Sequence, residues 1–149
     1  MKEKYEIVLK EVLRHYKILI DTIKELEKIK TFPLLEKDIK ELKEKLQTLS
    51  LLDTIAYRFS KLQESIGKLL RNYLALQGEE TEELFMKDII NLAEKRGLYI
   101  NWEKWITMRE IRNIITHEYP EEEEIIAETL NKLKTLVEEL GPLISQLKM

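Results

Sequence analysis

The chain has no cysteine, and only four glycines and three prolines among its 149 residues. Without cysteine there is neither a disulfide framework nor a thiolate zinc site, which fits a reducing cytoplasm. With so few breakers, the chain can run as long uninterrupted helices. Long apolar runs are missing as well. The first segment, MKEKYEIVLKEVLRHYK, interrupts its apolar positions with charges every few residues, so it reads neither as a signal peptide nor as a membrane span. The expectation is a cytoplasmic protein with no membrane partner. An excess of cations is also lacking: 28 acidic against 25 basic residues give a net charge of −3. The surface as a whole therefore does not recruit nucleic acid, and any such chemistry has to come from a local cluster of cations.

Several catalytic constellations are absent too. A di-metal carboxylate bundle needs Glu-x-x-His pairs, yet Val12 stands three before His15 and Ile114 three before His117. There is no H-E-x-x-H, no phosphate-binding P-loop and no G-x-G-x-x-G. A nucleotidyltransferase of its own would need a Gly-Ser turn and paired aspartates; the glycines precede Lys68, Glu79, Leu98 and Pro142, and no D-x-D occurs. No metal and no cofactor is expected.

What is present is helical patterning in a chain 36% charged and 44% hydrophobic. Tyr5, Val8, Val12, Tyr16, Leu19, Ile23 and Leu26 recur at steps of three and four, predicting a first helix from about Lys2 to Lys30. Phe32–Pro33 breaks it. A short amphipathic segment follows, with Leu35, Ile39, Leu42, Leu46 and Leu49 on one face. Ser50 and Asp53 look like an N-terminal capping pair for a long helix over 51–77, with Gly78 as its stop. A third helix is expected over 81–97. A fourth, capped by Asn101, should end before Pro120, and a last one should run from Glu121 to the Gly141–Pro142 pair. No strand-like alternation or repeat appears. The expected fold is all-α: one domain over residues 1–149, an up-and-down antiparallel bundle of four main helices plus short extra helices.

One stretch does not suit either a core or a solvated face. MREIRNIITHEYP, residues 108–120, gathers Arg109, Arg112, Asn113, His117 and Tyr119 among isoleucines. At about 100° per residue, Asn113 and His117 share a face, Arg109 lies one turn before Asn113, and Met108, Ile111 and Ile115 serve the core. Arg112 and His117 are five apart and diverge by about 140° on an ideal helix. Such a set permits metal-independent cleavage of an RNA phosphodiester. A histidine near neutral pKa moves the proton, an arginine fork holds the phosphate, and Asn113 orients either group. One histidine cannot serve as acid and base in a single step, so a two-fold dimer pairing this helix with its twin is expected. Elsewhere, His15 reads as a boundary residue, Trp102 and Trp105 as core anchors, and Glu121–Glu124 as carboxylates suited to a helix N-terminus.

The R-x-x-x-x-H-x-Y pattern at Arg112, Asn113, His117 and Tyr119 resembles the HEPN superfamily, in particular the HepT toxins and the related nucleotidyltransferase substrate-binding proteins. GLYINWEKWITMREIRN and AYRFSKLQESIGKLL are similar to family segments, so the resemblance covers most of the chain from about residue 53. It implies a helical homodimer with the motif at its interface and a minimal nucleotidyltransferase as partner. In the toxin branch it implies a metal-independent endoribonuclease acting on RNA, with Arg112 on the phosphate, His117 in proton transfer, Asn113 orienting and Arg109 as auxiliary cation. The nucleotidyltransferase would then be the antitoxin, transferring AMP to Tyr119. The carboxylates of Glu103, Glu110, Glu118 and Glu121–Glu124 crowd this site, which disfavours RNA. The alternative the resemblance carries is a non-catalytic subunit that presents a nucleotidyltransferase with its substrate.

Overall fold

A computed structural model describes residues 1–117 and 122–148. Among them lie six helices: α1 (Lys2–Glu27), α2 (Glu36–Lys43), α3 (Leu46–Leu76), α4 (Met86–Lys95), α5 (Trp102–Thr116) and α6 (Glu123–Leu147). Cross-helix contacts give the directions of the four long ones. On α1 and α3, the Tyr5 ring meets the Tyr73 ring at a tilt, 6.3 Å centre to centre, while His15 meets Arg58, so the two helices are antiparallel. Arg112 reaches Gln63 and Trp105 packs on Gly67, which sets α5 against α3 in the same sense. Tyr5 Oη donates to the Leu147 carbonyl at 2.6 Å and Tyr16 Oη to that of Val137 at 3.4 Å, while Tyr99 N–H bonds Gln146 and Lys104 pairs with Glu139 at 3.5 Å, so α6 runs against both α1 and α5. The expected up-and-down bundle is the observed one.

Periodicity explains the core. Val12, Leu19 and Leu26 of α1 meet Ile55, Phe59, Leu62, Ile66 and Leu69 of α3, all buried. Met108 and Ile111 of α5, with Leu133, Val137 and Leu140 of α6, close the other side. Burial of side chains of this size contributes about 1.5–3 kcal/mol each, which carries the bundle against chain entropy. Gly78 and Gly97 take φ of 93° and 87°. In that left-handed conformation, Glu79 N–H bonds the Leu74 carbonyl and Leu98 N–H bonds that of Ala93, ending α3 and α4 as the glycines suggested. Asn101 caps α5 by accepting from Lys104 N–H at 2.8 Å.

Three boundaries differ from the sequence reading. The Ser50–Asp53 pair opens nothing: α3 begins at Leu46, and Ser50 Oγ donates back to the Leu46 carbonyl from inside the helix. Leu46 and Leu49 therefore belong to α3 rather than to α2. No glycine or proline marks the junction at Glu44–Lys45, so the stripe alone could not place it. α4 starts at Met86, because Arg71 holds the carbonyls of Thr81 and Leu84 in a turn. α6 continues through Gly141–Pro142, since Leu143, Ile144 and Leu147 beyond it are buried. Among the described residues, no helix is long and apolar enough to cross a membrane.

Candidate functional site

α5 is the element that carries the unusual residues, and its two flanks open onto two cavities. Met108 and Ile111 anchor it, with Ile115 partly buried against the core. That leaves the Arg112 flank facing α1 and α3, and the C-terminal flank facing α3 and α6. The first cavity, about 900 Å³, is a groove with α3 along its floor and walls from α1 and α5. Arg112 lines it together with Gln63, Glu64, Gly67 and Trp105. The second, about 390 Å³, is mostly apolar, walled by Leu49, Leu52, Ile114, Ile126 and Leu130, with Lys43, Asp53 and His117 among its lining.

Arg112 is tightly engaged. Its Nη1 donates to Oε1 of buried Gln63 at 2.8 Å, and its Nη2 lies 3.5 Å from Glu64 Oε2. A guanidinium spends donors only, so Gln63 presents its oxygen here and its amide N–H groups elsewhere. Thr116, which stands over Arg112, donates its hydroxyl to the Arg112 carbonyl at 2.7 Å. His117 is the residue on which α5 ends: its φ of −92° and ψ of 126° are extended, and it is exposed. Asn113 and Arg109 are exposed as well. Within one chain, then, Arg112 and His117 line different cavities, in keeping with their divergence across five positions. Tyr119 and Pro120 lie outside the described residues, as do Glu118 and Glu121.

Trp105 belongs to the α5 wall of the groove. Trp105 is 3% exposed, and among the described residues its indole N–H has no hydrogen-bond partner. Its ring packs so closely on Gly67 that a Cβ there would stand 3.1 Å from it. Trp105 is thus a core anchor, as its spacing suggested, and its ring also lines the groove. Trp102 is partly buried, with Lys87 Nζ 5.9 Å from its ring centre.

His15 is the residue the sequence reading undervalued. It is buried rather than at a boundary, and Arg58 Nη1 lies 3.0 Å from its Nδ1. Since arginine can only donate, Nδ1 must be the bare nitrogen and the ring proton sits on Nε2. Burial, then the neighbouring Arg58 charge, hold its pKa below the ordinary histidine value. The available signal was its place on the α1 stripe, between Val12 and Leu19 at steps of three and four. Burial also pushes the Tyr5 hydroxyl up to about 12.

A family model described as nucleotidyltransferase substrate binding protein like matches residues 21–148. No curated protein and no solved structure matches the chain.

Proposed function

Because the chain belongs to the family of nucleotidyltransferase substrate binding protein like chains, we propose that it is a non-catalytic helical subunit that docks on a nucleotidyltransferase and presents a substrate to it. One observation carries this reading. Arg112, the cation a phosphodiester cleavage would need, is committed to Gln63 and Glu64 on the wall of a groove that His117 does not line. A groove lined by an indole ring, an amide and charges of both signs suits holding a ligand better than breaking one. The chain lacks the Gly-Ser turn and paired aspartates of the transferase chemistry, so that activity would come from the partner.

The second reading, a HEPN ribonuclease toxin neutralised by its nucleotidyltransferase, draws on the exposure of Asn113 and His117 at the end of α5. In that reading a second copy of the chain meets this one near the end of α5 and brings the Arg112 that completes the site. In this reading the switch is AMP that the nucleotidyltransferase moves from ATP to the Tyr119 hydroxyl with release of pyrophosphate, because a phosphodiester two residues from His117 repels the RNA phosphate. Both readings predict a complex with a small nucleotidyltransferase, detected as co-elution of the two proteins. They part at RNA. Under the first, the pure protein leaves RNA intact in EDTA. Under the second, it cuts RNA, His117→Ala abolishes cutting, and transfer of AMP with loss of activity disappears in Tyr119→Phe by intact mass. Failure to co-elute with any nucleotidyltransferase tested overturns both.

A further inference from the structure

The cavity at the C-terminal end of α5 is built differently from the α1–α3 groove. Leu49 and Leu52 of α3, Ile114 of α5, and Ile126 and Leu130 of α6 wall a space of about 390 Å³. Deeper in the bundle the same helices close on one another, and Ile55, Phe59 and Ile111 are buried. At this end they stand apart: Leu49, Leu52, Ile114 and Ile126 are only half-buried. A hollow of a few hundred Å³ with aliphatic walls and a few polar groups is the usual form of a small-molecule pocket. Water held against such walls would find few of the two to four polar partners it needs. No aromatic side chain lines the cavity among the described residues, so it offers no face on which a base or another flat ring would stack. The walls fit a flexible aliphatic body.

The polar groups decide which head such a body carries. Lys43, Asp53 and His117 line the cavity. The Lys43 ammonium lies 3.8 Å from the Glu123 carboxylate, and the two side chains are 28% and 14% exposed, so this charge is answered within the protein. Asp53 is exposed, and it makes no ion pair or side-chain hydrogen bond with any described residue. Lys43 set against Glu123 and Asp53 leaves one carboxylate in excess. An anionic head would therefore meet two carboxylates and an ammonium already engaged, whereas a cationic head finds an uncommitted carboxylate. Because Asp53 is solvated, it selects the sign of the head and adds little to affinity. The affinity comes from the walls, at about four-fold for each methylene taken out of water.

We propose that this cavity binds a small amphipathic amine. Its aliphatic body lies among Leu49, Leu52, Ile114, Ile126 and Leu130, and its ammonium sits at Asp53. The inference is independent of pairing with a nucleotidyltransferase and of whether RNA is cut.

The test is a carbon-13 methyl NMR titration of the chain with n-octylamine at about pH 8, where an alkylamine is a cation. Saturable shifts should centre on the methyl groups of Leu52, Ile114, Ile126 and Leu130. n-Hexylamine, two methylenes shorter, should bind about fifteen-fold more weakly. n-Octanol has the same body without the charge and should bind about three-fold more weakly than n-octylamine, with n-octanoate weaker again. Asp53→Asn should bring n-octylamine down to the level of n-octanol and leave n-octanol binding unchanged, a pattern that a loosened fold would not give. Ala56→Leu, which puts a branched side chain into the cavity, should weaken all three eight-carbon ligands. The proposal is overturned by the absence of saturable shifts, or by shifts as large at the exposed Ile7, Ile29 and Leu46. It is overturned equally if Asp53→Asn leaves the preference for the amine intact, or if n-octanoate binds tightest, which would put the head on Lys43. Shifts of the cavity methyl groups that follow protein concentration with no amine present would place a second copy of the chain over the cavity instead, and these too overturn it.

Discussion

At His15 the imidazole gives Nδ1 to Arg58, so a proton arriving there must break the contact and stand beside a cation. The charged groups around it are Arg58 and Lys61 from α3, and Arg14 and Glu11 from α1; only Glu11 favours the charged form. The folded-state pKa is therefore below 6.5, the value of the unexposed-to-field histidine that approximates the unfolded chain. The sign follows. Below about pH 6.5 the unfolded chain takes up a proton that the folded chain refuses, so stability falls with falling pH until the folded pKa is reached. Above that range the contribution is constant. His15→Gln keeps an acceptor for Arg58 and removes the titration. Thermal unfolding between pH 7.5 and 5 should show a decline in the wild-type chain that is shallower in His15→Gln; identical slopes would place the acid sensitivity elsewhere. The sequence exposed the stripe on which His15 lies but not its partner. Arg58 is 43 positions away, and only the antiparallel register of α1 and α3 brings the two together. By contrast, the angular order of Arg109, Arg112 and Asn113 was legible locally, because one helix displays its own spacing, while the partner of Arg112, Gln63, lies 49 positions away and was not.

Among the elements, α6 departs furthest from local rules, and for a reason that can be measured. Pro142 lies inside the helix, removes the N–H that would bond the Glu138 carbonyl, and normally ends a helix. Gly141 beside it adds a second penalty of about 1 kcal/mol. The helix nevertheless continues, because Leu143, Ile144 and Leu147 are buried and Tyr5 holds the Leu147 carbonyl. Burial at about 1.5–3 kcal/mol for each such side chain outweighs one lost bond. Gly141 has its own use: a Cβ there would stand 3.3 Å from the Tyr16 hydroxyl, which reaches toward the Val137 carbonyl. Pro142→Ala restores the missing donor and should stabilise the protein by about 1–3 kcal/mol in urea unfolding. A loss of stability would mean that the proline sets the geometry of the last two turns. The same balance explains which ends were readable. Gly78, Gly97 and Asn101 act through their own backbone or side chain and were legible. The start of α3 and the end of α6 are decided by what packs against them, and local signals pointed elsewhere.

At the scale of the whole molecule, the separation of Arg112 from His117 turns oligomeric state into a question about chemistry. Arg112 lines the α1–α3 groove and His117 lines the cavity toward α6, so a single protomer does not bring the two onto one phosphate. If the chain is a ribonuclease, the phosphate must be held by Arg112 of one copy and met by His117 of the other, across a two-fold axis near the exposed end of α5. A two-fold axis generates two such sites, each drawing one residue from each copy; each then holds one histidine, with water in the other proton-transfer role, in place of the two histidines in one site that the sequence reading expects. This predicts complementation. Arg112→Ala and His117→Ala homodimers should both be inactive on RNA. Refolded together in equal amounts, half of the dimers carry one of each chain, and each of these has one intact site and one doubly altered site. The mixture should regain about a quarter of wild-type activity. Sedimentation velocity at micromolar concentration checks the dimer itself. A dimer that cuts RNA but shows no rescue would place both histidines, as acid and base, in one site on the axis, or both residues of a site on one chain with α5 rearranged. A monomer, or a dimer in which the wild-type chain cuts nothing, leaves Arg112 as a ligand-holding residue of the groove and the chain as a binding subunit.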